Sequence, residues 1–142
     1  MDERERLYID ISKGIDNDEI IVAYNKGHIC NSPYSSSNVK IKIRLEAHER
    51  FKRDGLDLLY TIKLDFRASL IGFEHVLKHL NGKSYKIQNY KGEIVHPNYK
   101  KIIPGLGFWR EDCVGKLIVS FDIDYPKSLS LETVERLRGI LL

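Results

Sequence analysis

Two stretches of the chain fall into register, with no gap, when the sequence is displaced against itself by 78 residues. Lys13-Gly14 meets Lys91-Gly92, and Gly27 meets Gly105. Val39, Ile41, Ile43 and Leu45 meet Leu117, Val119, Phe121 and Ile123. Glycines and alternating apolar residues match together, so the offset predicts two copies of one β-rich unit. On this reading the chain opens partway through the first copy, and the parent protein is expected to extend upstream of Met1.

The remaining bounds are broad. The 142 residues are enough for one or two small domains, and 42% apolar with 30% charged residues is an ordinary soluble composition. A net charge of +3, evenly spread, does not suggest a nucleic-acid partner. No apolar run reaches the ~18 residues of a membrane span, so no membrane partner is expected. Residues 1–6, Met-Asp-Glu-Arg-Glu-Arg, are unlike a secretory signal. The expected location is the cytoplasm, with the lumen of the endoplasmic reticulum left open if the true start lies upstream. Cys30 and Cys113 have no Cys-x-x-Cys spacing, which favours two free thiols over a disulfide and gives no zinc site.

Periodicity reads as mostly β. Leu7–Ile11 and Ile20–Tyr24 alternate as strands, and residues 28–38 form a polar loop rich in turn residues. Val39–Leu45 has one apolar and one basic face, as a half-buried strand should. Phe51–Gly55 is expected to turn into a strand at 58–64. Residues 66–72 read as a short helix ended by Gly72. Strands are expected near 73–79, 84–90, 98–103 and 117–124, with a hairpin turn at Asn81-Gly82. After Pro126, Ser130 can cap a helix to about Gly139, with Leu131, Val134, Leu137, Ile140 and Leu141 as its apolar stripe. The first copy has no counterpart to this helix.

Several of these segments resemble one family in order and spacing. Residues 48–58, His-Glu-Arg-Phe-Lys-Arg-Asp-Gly-Leu-Asp-Leu, resemble the His-Pro-x-Phe-x-Arg-x-Gly-x-Asp-Leu junction between the two carboxy-terminal β-domains of DnaJ-family co-chaperones. Residues 68–73, Ala-Ser-Leu-Ile-Gly-Phe, are similar to that family's Glu-Ala-Leu-Leu-Gly-Phe helix, and residues 79–83 to its Leu-Asp-Gly-Arg hairpin. Pro104–Gly107, Gly115–Val119 and Tyr125–Lys127 resemble its Gly-x-Gly loop, its Gly-Asp-Leu-x-Val strand and the proline before its last helix. Ala47 departs from the usual proline, and Asn81 and Lys116 from common aspartates.

The resemblance implies β-sandwich subdomains: the end of a first β-domain (1–48), a whole second one (49–126) and a carboxy-terminal dimerisation helix (127–142). It implies a non-catalytic part of a co-chaperone that binds unfolded client polypeptides, forms a homodimer and serves a DnaK-type heat-shock chaperone of seventy kilodaltons. The ATPase-stimulating J-domain is not in this chain. His96-Pro97-Asn98 lacks that domain's aspartate and lies between expected strands, so it reads as a turn. Family members also bind an acidic Glu-Glu-Val-Asp tail on the first β-domain. Most of that groove would lie upstream of Met1, so no tail contact is assigned to Lys40, Lys42 or Arg44.

The residues themselves supply no reactive set. His75 and His79 have a helical zinc spacing, but on a strand they stand about 13 Å apart, too far to share a metal. Asp10, Asp16, Asp18 and Glu19 lack the glycine and terminal glutamate of a calcium loop and read as a solvated turn. No nucleophile elbow or phosphate loop is present, so no enzyme activity, metal or cofactor is expected. Client binding is expected on the strand near 73–79. Phe73, His75, Leu77 and His79 form one face, joined by Tyr99 or Ile102 from a neighbouring strand. Core packing is the competing reading for these residues. Leu131, Val134, Leu137, Ile140 and Leu141 are the expected dimer contacts. A single-partner adaptor without general chaperone activity is the alternative function.

Overall fold

The computed structural model describes residue 4 and residues 6–24, 38–90 and 92–141. The expected loop at 28–37, with Cys30, lies outside the described residues, as do Gly27 and Lys91. The elements run β1 (Ile20–Ala23), β2 (Val39–Lys42), β3 (Phe51–Asp54), β4 (Asp57–Asp65), α1 (Phe66–Ile71), β5 (Glu74–Lys78), β6 (Ser84–Gln88), β7 (Lys100–Ile103), β8 (Trp109–Arg110), β9 (Cys113–Val114), β10 (Leu117–Asp124) and α2 (Leu131–Ile140). The fold is mostly β, as expected. Residues 7–11 form no strand. Their alternation supplies a face, but a strand also needs a neighbour with which to ladder.

Contacts divide the chain into two compact units, one from residues 1–60 and 102–118, the other from 61–101 and 119–142. Strands β3, β4, β10 and β7 lie in that order in one sheet. In the first unit β1 and β2 pair antiparallel, Ile21 opposite Ile41 and Ala23 opposite Val39. Val39, Ile41 and Ile43 are half-buried while Lys40, Lys42 and Arg44 are exposed, the alternation read from sequence. The pairing continues beyond β2: Asp18 N–H donates to Ile43 O, and Ile43 N–H to Glu19 O, both at 2.8 Å.

Strands β3 and β4 form a hairpin, with Asp54 opposite Asp57. Gly55, at φ +61°, takes the first turn position, which in such a tight hairpin turn calls for a positive φ. The sequence placed Phe51–Asp54 in a turn. The structure makes it a strand because Phe51 is an apolar anchor: it is buried and lies 5.1 Å from the Tyr60 ring opposite it. Segment 107–116 folds over Leu56. Phe108 N–H donates to Leu56 O at 2.7 Å, and a Cβ on Gly115 would stand 1.9 Å from that same oxygen. Only glycine permits this approach. The small β8–β9 hairpin was not expected from sequence.

Two arginines tie the first unit together. Arg53 donates from Nη1 to Ile15 O (2.6 Å), from Nη2 to Gly14 O (2.7 Å) and from Nε to Gly55 O (2.8 Å). Its guanidinium lies 4.1 Å from the centre of the Phe108 ring. Arg110 makes a two-point contact with the Glu19 carboxylate, from Nη1 to Oε2 at 2.8 Å and from Nη2 to Oε1.

The second unit holds a core that includes Ile62, Leu64, Leu77, Ile87, Val95, Val119 and Phe121. Asp65 caps α1 by accepting Ala68 N–H at 2.7 Å, and Gly72 ends it by donating to Ala68 O at 3.0 Å. The α1 residue Ser69 is buried, with its hydroxyl on Phe66 O at 2.6 Å and its carbonyl accepting Val95 N–H at 2.9 Å. Strands β5 and β6 form an antiparallel hairpin, with Leu77 opposite Tyr85 and His75 opposite Ile87. Ser130 caps α2 by accepting Thr133 N–H at 3.2 Å.

Candidate functional site

Strand β5 turns Phe73, His75, Leu77 and His79 to the packed side of its hairpin, while Glu74, Val76 and Lys78 face outward. Alternation therefore divides the two faces where the sequence divides them. Leu77 is fully buried. Phe73 and Tyr99 both meet Phe121, at ring separations of 5.2 and 5.7 Å, so two of the expected client-binding residues cover one core phenylalanine. His79 sits at the hairpin tip, where Nδ1 accepts Asn81 N–H at 3.1 Å and the ring meets Tyr85 edge-on at 5.6 Å. Asn81 Nδ2 donates to Tyr85 Oη at 2.9 Å, so the tip is an ordered polar cluster. Ile102, on β7 in the first unit, is 52% exposed. On the outward face Glu74 and Lys86 pair across the ladder.

A second surface is more open. An apolar groove of about 740 Å³ is bounded by α1, the end of β10 and α2. Phe66, Leu70 and Ile71 line it from α1, Tyr125 and Leu129 from the connecting segment, and Leu137 and Leu141 from the α2 end. The rings of Phe66 and Tyr125 pack 5.2 Å apart at its base. Of the expected dimer contacts, Val134 and Leu137 are half-buried, while Leu131, Ile140 and Leu141 are exposed, Leu131 at 85%. The sequence singled out the α2 residues of this groove and passed over those of α1. Phe66 and Leu70 are four apart and so share a face of α1, but that spacing does not say which distant helix the face meets.

Among the described residues no three His, Cys, Asp or Glu side chains gather as a metal site. Asp65, Asp122 and Asp124 line a smaller depression with Lys63. Cys113 is an exposed free thiol. In the first unit two ionisations are displaced. Hydrogen bonding from Arg110, then from Asp16 N–H, holds the Glu19 carboxyl below its ordinary range, and Glu19 in turn raises Arg110.

The family model of the DnaJ C terminal domain matches residues 1–126. The chain belongs to the DnaJ C-terminal domain family. It is 30% identical over 143 residues to chaperone protein dnaJ 3 of Arabidopsis thaliana, covering 98% of this chain and 34% of that protein. It is 31% identical over 144 residues to the mitochondrial protein import protein MAS5 of Saccharomyces cerevisiae, covering 98% of this chain and 35% of that one. A DnaJ protein homolog of Cucumis sativus is 31% identical, again over 98% of this chain and 34% of its own length. The chain thus spans about a third of the length of these relatives. Among the described residues no helix is long and apolar enough to cross a membrane.

Proposed function

We propose that this chain is the client-binding and dimerising part of a cytoplasmic DnaJ-type co-chaperone, which passes unfolded segments to a DnaK-type heat-shock chaperone. The match of the DnaJ C-terminal domain over residues 1–126 carries the reading. Its mechanism is physical and needs no cofactor: weak capture of exposed apolar segments, strengthened when two arms act together in a homodimer. The exposed aliphatic residues of α2, beside an apolar groove of about 740 Å³, supply a surface of the kind that a second copy buries. Client segments pair along β5, with Phe73, His75, Leu77, His79 and Tyr99 as the lining set in the second unit, and Ile102 is a separate candidate contact on the first. Of these Ile102 is accessible without rearrangement. Leu77 takes part only if the hairpin shifts.

The test uses two unrelated aggregation-prone proteins and a partner ATPase. The chain should slow aggregation of both and leave the ATPase rate unchanged. Ile102→Asp should fold normally, since its side chain is half in solvent, and should weaken suppression. Suppression of only one protein favours a single-partner adaptor. Suppression untouched by Ile102→Asp removes β7 from the site.

A further inference from the structure

The turn at residues 14–19 is held by two arginines that lie far from it in sequence. Arg53 reaches the Gly14 and Ile15 carbonyls from β3, and Arg110 reaches the Glu19 carboxylate from β8. All these residues lie within the first compact unit. The Arg53 side chain is 13% exposed, and three of its donor nitrogens reach carbonyl oxygens of the main chain. Its Nε also stands 3.7 Å from Asp16 Oδ1. The turn fits closely against β8, since a Cβ on Gly14 would stand 2.3 Å from Trp109 O. Asp18, at φ +66°, keeps a backbone conformation that non-glycine residues seldom adopt.

The internal repeat isolates what is special here. The residues 78 positions after Ile15, Asp16 and Glu19 are Glu93, Ile94 and Pro97. The second copy has no carboxylate at the Glu19 position, so this arrangement is not part of what the repeated unit needs to fold. It joins a turn of the first copy to a hairpin of the second. The geometry points to a two-arginine latch: Arg53 and Arg110 clamp the 14–19 turn to the 107–116 segment, so that the copies open and close there as one cooperative element. Arg53 is the fixed half, since it binds main-chain carbonyls. The Arg110–Glu19 pair is the releasable half, since both side chains reach solvent and added salt screens them. This holds whether or not the chain captures clients.

Native-state hydrogen exchange on the whole chain tests the coupling. Two sets of amides report on the two sides of the latch. Asp18 and Ile43 bond within the first copy, and Gly107 and Gly115 within the 107–116 segment. Glu19→Gln should speed exchange in both sets by roughly two- to fivefold, the scale of a partly exposed ion pair. Arg53→Lys keeps the charge but loses the fork that spans two carbonyls, and should speed both sets by on the order of tenfold. Gly72 and Val95, in the second unit, should not change. Glu19→Arg should open the latch further, and adding Arg110→Glu should restore protection on both sides. A Glu19→Gln effect confined to residues 16–19, or a charge exchange that fails to restore the 107–116 amides, overturns the latch.

Discussion

Strands β2 and β10 carry the same alternation 78 residues apart, yet they are packed to different depths. Leu117 and Val119 are fully buried and Phe121 is 5% exposed, whereas Val39, Ile41 and Ile43 are only half-buried. Their neighbours make the difference. Strand β10 lies between β4 and β7, and Phe73 and Tyr99 close over Phe121. Among the described residues β2 pairs with β1 alone. The pairing itself is shared, because β7 overlaps the segment that the offset assigns to β1. Alternation thus tells which face packs. How deeply it packs depends on elements that alternation does not report.

The sharpest way to break this comparison is to remove equivalent core residues. Phe121→Ala should cost about 3–5 kcal/mol, the loss typical of a buried aromatic, because the surrounding rings cannot collapse into the space. Ile43→Ala, at the aligned position, should cost about 1–2 kcal/mol, since part of its surface is already in water. Urea unfolding of both variants measures the difference. Equal losses would mean that the two copies are packed alike and that the contrast in burial is not energetic.

Helix α2, which has no counterpart in the first copy, should contribute less to folding and more to assembly. Its apolar residues are half-buried or exposed, so a chain ending at residue 129 should stay folded, with stability lowered by about 1 kcal/mol or less. Sedimentation should show the intact chain as a dimer and the shortened one as a monomer. A large drop in melting temperature with no change in mass would instead make α2 a part of the second unit's own packing.

The smallest expected effect is acid sensitivity at Glu19, where the second copy has Pro97. Arg110 depresses the folded-state pKa of Glu19, so the stabilisation is present above the ordinary glutamate value of 4.5 and is lost as pH falls through the lowered folded value. The intact chain should exceed Glu19→Gln in urea midpoint above about pH 5, and the two should converge in stronger acid. Curves that stay parallel down the acid range would show that the Arg110 contact does not contribute to stability.

Particular elements show how far the sequence could be read. Strand β10 was found at its observed ends, and α1, with Gly72 after it, within a residue, because a glycine stop and alternation are local signals; the Asp65 cap was not read. Phe51–Asp54 was misread since a polar strand of four residues resembles a turn until Phe51 is seen against Tyr60. The β8–β9 hairpin left no periodic trace, being two residues on each side. For the candidate surfaces, the two faces of β5 and the stripe of α2 were legible. The share of α1 in the groove was not, because it depends on two helices far apart in sequence.

By itself the sequence determined the predominance of β structure and the packed face of β2, which follow from short-range spacing of apolar and turn residues, and the order of its motifs carried the resemblance to the family. Tertiary structure alone decided that Leu77 is core while Ile102 is surface, that Leu70 and Leu137 share a groove, and that Arg53 and Arg110 close on one turn. Periodicity is a property of neighbours along the chain. Burial, groove shape and ion pairing depend on which distant segments meet, and spacing does not encode that.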